Sequence, residues 1–372
     1  MKLSLTKENF QQGLQLVSRM TGNKITLPVL NNILLETIQG RLKLSATDLE
    51  IGITTSVGAK IEEEGTITLP SRLLVDYIIA NTDQSINIEL KGSSVNLTSQ
   101  NYQANIKGIE AKEFPKIPKI NKPHLLEIES LVLKQAINQV SLVTAIDEAR
   151  PVLTGVYWQI NNSSLKIAAT DSYRLAEKTI KIKINPELTG KKINNFIIPS
   201  RTVIELGRII DDTEEKVKIF LGDNQVMFQF KDTELVSRLI EGEFPNYQAI
   251  IPQGFQTKII VPVVDFLAAA KMASYFAKEN AGNIKLKVEP GKLFHIKAIS
   301  PQIGDEESRV VADVSGERLD IAFNAKFLID ALSVVGEEQV VLELGSALSP
   351  GILKPVKKQD YWHIIMPLKI ED

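Results

Sequence analysis

One arrangement recurs three times along the 372 residues, and it restricts the possible folds more than any single motif does. Leu69-Pro70-Ser71-Arg72-Leu73-Leu74 returns as Ile198-Pro199-Ser200-Arg201-Thr202-Val203 and, more loosely, as Phe323-Asn324-Ala325-Lys326-Phe327-Leu328. Pro199 follows Pro70 by 129 residues, and Asn324 follows Pro199 by 125. Leu42-Lys43-Leu44-Ser45-Ala46-Thr47-Asp48 matches Leu165-Lys166-Ile167-Ala168-Ala169-Thr170-Asp171 at an offset of 123, and Glu113-Phe114-Pro115 recurs as Glu243-Phe244-Pro245 at 130. Solenoid repeats have periods of roughly 20–50 residues, so these units are whole domains.

Each unit opens with an apolar stripe at i, i+4, i+7: Phe10, Leu14 and Val17, then Leu133, Ile137 and Val140, then Phe266, Ala270 and Ala273. That spacing predicts a helix with one buried face. Ser130 and Pro262 are suited to open the second and third of these helices. The Pro-Ser-Arg motif and its echo start a second short helix in each unit. Between the helices the pattern alternates in period two, as in Ile86-Asn87-Ile88-Glu89-Leu90, Val217-Lys218-Ile219-Phe220-Leu221 and Val340-Val341-Leu342-Glu343-Leu344. Such runs read as half-buried antiparallel strands. The fold class is therefore α+β: three similar domains, each with two helices packed on antiparallel sheet. Proline-containing stretches put the boundaries near Lys122 and Gly254, giving domains 1–122, 123–254 and 255–372.

Composition narrows the function classes. With no cysteine, disulfides, thiolate metal sites and a cysteine nucleophile are excluded, and a cytoplasmic location is expected. Neither a signal-peptide run nor an apolar stretch of about 20 residues occurs, so no membrane association is expected. The net charge of −2 argues against nucleic acid only if the 43 basic residues are dispersed. His124, His295 and His363 are far apart in sequence with no metal-ligand spacing, and His295 lies inside a predicted strand. No phosphate loop or nucleophile elbow is present. Asp48 and Asp171 occupy one position in two repeats, which favours a turn at a strand end over paired acid–base carboxylates. Neither enzyme activity, nor a metal, nor a cofactor is expected.

The ordered stretches Thr26-Leu27-Pro28-Val29-Leu30, Ala46-Thr47-Asp48-Leu49-Glu50, Ala169-Thr170-Asp171-Ser172-Tyr173-Arg174-Leu175-Ala176, Glu241-Gly242-Glu243-Phe244-Pro245-Asn246-Tyr247 and Ile364-Ile365-Met366-Pro367-Leu368-Lys369 resemble the β sliding clamps of bacterial DNA polymerase III. The resemblance runs the length of the chain. It implies the DNA-clamp fold and a ring-shaped head-to-tail homodimer, a processivity factor that encircles duplex DNA without sequence specificity. The implied partners are the replicative DNA polymerase catalytic subunit, the clamp loader and other proteins with a clamp-binding motif. Arg72, Arg201 and Lys326, at one register in three repeats, are candidate DNA contacts, and the resemblance adds Lys24 and Arg150 on loops. It also implies a peptide groove of Leu153, Thr170, Ser172, Tyr173, Arg174, Leu175, Pro245, Ile250, Ser349, Ile364, Ile365, Met366, Pro367 and Leu368. The run from Ile364 to Leu368 is expected as an exposed last strand and tail. For the dimer seam it points to Ala104 and Ile106 opposite Tyr275 and Phe276. The rival reading is a non-DNA interaction scaffold of three β-rich domains.

Overall fold

Three rounds of one element order make up the chain: strand, helix, a run of five strands (four in the third round), helix, three strands. The computed structural model describes residues 1–22, 27–147, 149–161, 163–188 and 195–369. Lys24 and the tail Ile370-Glu371-Asp372 lie outside the described residues. The first helix of each round is α1 (Lys7–Val17), α3 (Ser130–Val140) or α5 (Val263–Ala277). The second is α2 (Ser71–Ala80), α4 (Ser200–Ile209) or α6 (Ala325–Val334). All nine residues of the three predicted stripes are buried, because one face of each helix lies on sheet.

Helix entry differs from expectation at one place. Thr6 caps α1 by accepting from the Asn9 amide, and Pro262 stands at the N-cap of α5. Ser130, however, is the first residue of α3 and is fully buried. Its hydroxyl donates to the Thr213 carbonyl at 2.6 Å, away from its own helix. A buried hydroxyl must find a partner, and here the neighbouring backbone supplies it.

The described residues divide into two compact units: those of 1–131 with 184–188 and 208–239, and those of 132–183 with 195–207 and 240–369. Inside each unit, antiparallel strand pairing joins one copy of the repeat to part of the next. In the first, strand Thr233–Arg238 pairs with strand Ile51–Gly58, placing Val236 opposite Gly52. Across the same seam, Arg41 grips Asp232 through two hydrogen bonds of 2.6 and 2.7 Å. In the second, strand Tyr361–Ile365 pairs with strand Arg174–Lys181, placing Ile364 opposite Leu175. Tyr361–Ile365 is also paired on its other side, to strand Gly351–Pro355. The expected exposed last strand is thus an interior one, with Ile364 and Ile365 each 1% exposed. Exposure begins only at Met366.

On that interior strand, His363 is fully buried, its Nδ1 3.2 Å from the Tyr361 hydroxyl. Burial first, and then the charge of Arg174, push its imidazole down to about 3. An unfolded histidine titrates near 6.5, so as pH falls through that value the unfolded chain gains a proton that the folded chain refuses. Stability from this group is complete above about pH 6.5 and drains away below it. The stability gap between wild type and His363→Gln, measured by urea unfolding, should narrow by about 2 kcal/mol from about pH 7.5 to about pH 5. A gap that does not change over that interval would contradict a buried neutral His363.

Candidate functional site

The two Thr-Asp pairs build one turn twice. Thr170 Oγ1 donates to the Arg174 carbonyl at 2.7 Å and accepts from the Ser172 amide, while Asp171 Oδ1 accepts from the amides of Tyr173 and Arg174. Thr47 and Asp48 do the same for Leu49, Glu50 and Ile51. Ser172 and Leu49 both take the left-handed backbone, with φ of +77° and +80°. Side-chain oxygens tie down the turn amides in place of backbone carbonyls. The third copy lacks the pair, and there Ser300 Oγ accepts from the amides of Gln302 and Ile303. These carboxylates are turn-makers.

The Thr170 turn is locked from beneath by Arg174, only 7% exposed. Its Nε donates to Asp171 Oδ2 at 2.9 Å, Nη1 to Asp330 Oδ2 at 2.6 Å and Nη2 to the Leu142 carbonyl at 2.9 Å, with the guanidinium 4.4 Å from the Phe327 ring centre. A planar fork with its faces and edges occupied suits arginine and no other side chain. It ties the turn to helix α6.

Alternation along the strands sorts the remaining candidates by face. Leu175 and Ile364 lie together with Ala168 and Tyr247, and Phe244, Ile251, Ile352 and Trp362 pack around them. Pro245 and the half-exposed Ile250 come from the linker that passes over this face. Met366, 38% exposed, is fixed where its amide donates to the Tyr173 carbonyl, and the Leu368 amide donates to Ala322. Tyr173 itself is 65% exposed. Leu153 and Thr170 are buried, Pro367 is half-buried, Ser172 is exposed, and the half-buried Ser349 bonds Ser346 at 2.8 Å. Arg174 and Ile365 take the opposite face of the sheet from Leu175 and Ile364. The result is an apolar floor with an exposed aromatic and a thioether at its rim.

Sequence reasoning missed the support beneath that floor. The Tyr247 hydroxyl donates to Glu177 Oε2 at 2.6 Å, and burial followed by this bond pushes the phenol far above its usual range. Glu177 in turn meets Lys166 at 3.4 Å. The only signal was Tyr247 at the end of one of the stretches that carry the family resemblance. Asp330 and Phe327, which hold Arg174, carried no signal, since a helix residue's partner across the fold is not written in its spacing.

Arg72, Arg201 and Lys326 are each the second residue of α2, α4 or α6, and each is exposed. None of these first turns carries an acidic residue. A cation there opposes the helix dipole, so threefold recurrence is not a stability device. Arg150 is exposed on the loop before the turn Pro151–Leu153, with Nη1 3.4 Å from Ser172 Oγ. Ala104 is half-buried and Ile106 buried on strand Gln103–Lys107; Tyr275 is 57% exposed and Phe276 half-buried at the end of α5. Among the described residues no cluster of side chains could hold a metal ion, and no helix is long and apolar enough to cross a membrane.

Three like domains of helices on antiparallel sheet, with this repeat order, define the DNA-clamp fold. The N-terminal, central and C-terminal domains of the DNA polymerase III beta subunit match residues 1–118, 127–246 and 248–369. The beta sliding clamp of Bacillus subtilis is 31% identical over 380 residues, covering 99% of this chain and 100% of that protein. That of Staphylococcus epidermidis is 30% identical with 99% of each covered. The crystal structure of the Bacillus subtilis sliding clamp superposes with a TM-score of 0.94 at 29% identity, and a Pseudomonas aeruginosa sliding clamp bound to griselimycin with 0.94 at 26%, each covering 100% of both chains. The chain belongs to the DNA polymerase III beta subunit family, the beta sliding clamps, and is a non-catalytic processivity factor.

Arg174→Met leaves Asp171 and Asp330 without their shared cation inside the fold. Removing one partner of such a cluster should cost about 3 kcal/mol in urea unfolding, with Arg174→Lys recovering only part because it loses the fork. A loss well under about 1 kcal/mol would mean that the turn holds without Arg174.

Proposed function

We propose that two copies of the chain close head to tail into a ring of six like domains around duplex DNA. The observation that carries this is a missing seam. Strand Thr233–Arg238 closes on Ile51–Gly58, and Tyr361–Ile365 closes on Arg174–Lys181, within one chain. Their third counterparts find no such partner among the described residues. Strand Gln103–Lys107 is the last in its sheet, and strand Gly304–Gly316 is paired on its second side only from Asp313 onward. Bare edges invite pairing, and joining this edge to that one in a second copy completes the pattern. Ala104 and Ile106 then meet the side of the third domain that carries Tyr275 and Phe276. Two identical head-to-tail contacts close the ring and avoid a filament.

Within the ring, Arg72, Arg201 and Lys326 present six equivalent cations to the phosphate backbone, with Arg150 adding a loop contact and Lys24 a further cation. Such contacts position without reading sequence. The floor of Leu175 and Ile364, rimmed by Tyr173, Pro245, Ile250 and Met366, receives short apolar peptides from the replicative polymerase subunit, the clamp loader and other partners. A flexible methionine at the rim favours several ligands over one. The site of action is the cytoplasm, where replication proceeds.

After loading by the matching ATP-driven loader, the protein should stay on circular plasmid and be lost when the circle is cut. Equal loss from circle and linear forms, with loading verified, would leave an interaction scaffold. In the groove, Met366→Ala with Leu368→Ala should weaken a polymerase-tail peptide about tenfold in fluorescence anisotropy, from burial lost at two apolar contacts. Sedimentation should show the dimer intact. Undiminished peptide affinity would remove these residues from the site.

A further inference from the structure

The same repeat that frames the peptide groove frames a second trough, with altered chemistry. The first Thr-Asp turn leads into Gly52, which stands where Leu175 stands 123 residues later. Val236 lies opposite Gly52 as Ile364 lies opposite Leu175. Over this seam runs the linker after Glu113-Phe114-Pro115, the counterpart of Glu243-Phe244-Pro245, so Ile117 occupies the place of Tyr247. The two substitutions fit together. A Cβ on residue 52 would come within 2.8 Å of Ile117 Cγ2, so the missing side chain is filled by the linker's own isoleucine. The apolar floor used by the groove is occupied from within.

What remains open beside it is a trough of about 480 Å³ bounded by Phe114, Ile117 and Val236 and by four lysines, Lys43, Lys112, Lys116 and Lys119, against two glutamates, Glu36 and Glu234. Lys43 is engaged by Glu36 at 3.3 Å, and Lys112 by Glu110. Lys116 and Lys119 are exposed and have no carboxylate partner among the described residues. A locally positive trough on a chain of net charge −2, with apolar wall between its charges, selects an extended ligand that is acidic and carries apolar side chains.

We propose that this trough is a second docking site, which takes an acidic segment of a partner protein, with carboxylates on Lys116 and Lys119 and an apolar residue against Phe114 and Val236. It is distinct from the groove of Leu175 and Ile364. Binding there is salt-sensitive, because exposed charges carry much of it.

The test uses the full chain and two fluorescein-labelled peptides, one alternating glutamate with leucine and phenylalanine, the other with lysine in place of glutamate. In low-salt anisotropy titrations the acidic peptide should bind saturably and the basic one should not. Lys116→Glu with Lys119→Glu should weaken the acidic peptide about fivefold to thirtyfold. The Met366→Ala, Leu368→Ala variant should bind it as wild type does, which separates this site from the groove. Failure of the acidic peptide to saturate, equal binding of the basic one, or insensitivity to the charge reversal would each overturn the proposal. So would loss confined to the groove variant, or displacement by a short DNA duplex, which would make the trough a nucleic-acid surface.

Discussion

Five residue pairs of antiparallel backbone, from Arg174 opposite Ile365 to Lys178 opposite Tyr361, join the second copy of the repeat to the third. Nearly every functional feature of that half of the molecule hangs on them. Because side chains alternate across a strand, the pairing sends Leu175 and Ile364 to the outer floor and turns Arg174, Ile365 and His363 inward. A slip of one residue would exchange those sets. The buried polar groups on both faces hold the register: Lys178 meets Asp360 at 2.9 Å, Glu177 takes the Tyr247 hydroxyl, and Arg174 takes two aspartates. None of these partners could be satisfied after a slip.

The proposed peptide floor is consequently shaped by backbone pairing and only finished by side chains. Exposed groups are few and sit where the chain leaves regular structure, at the turn of Tyr173, the linker at Ile250 and the first residue beyond the strand, Met366. Loops carried by a rigid sheet commonly provide contacts of this kind. The first seam shows what happens when the floor is altered. With glycine at 52 and isoleucine at 117 the same backbone frame closes its apolar pocket and leaves a charged margin.

Much of this was legible in the residues. The three stripes, the period-two strands and the Thr-Asp turns were readable because their geometry is local and repeated. Arg72, Arg201 and Lys326 fell at one helical position because their register depends only on the motif that starts each helix. The interior position of Tyr361–Ile365 was not legible. A strand near the end of a sequence looks like an edge until its second neighbour is known, and that neighbour lies about two hundred residues upstream in sequence, a separation that periodicity does not span. Ser130 misled for a related reason: a serine at a helix start reads as a cap, yet its hydroxyl answers a carbonyl brought near by tertiary pairing. Arg174 was expected among the groove residues, but only the fold revealed that its charge is spent inward on Asp171 and Asp330.

The seams described above also differ in how they respond to dilution. Two are closed between parts of one polypeptide, where the effective concentration of each strand for its partner is set by the connecting chain and ignores how much protein is present. The third, which the proposed ring leaves to a second copy, would obey mass action. Lowering the protein concentration would therefore weaken one kind of joint and leave the other untouched, so an assembly built this way comes apart into whole, folded chains.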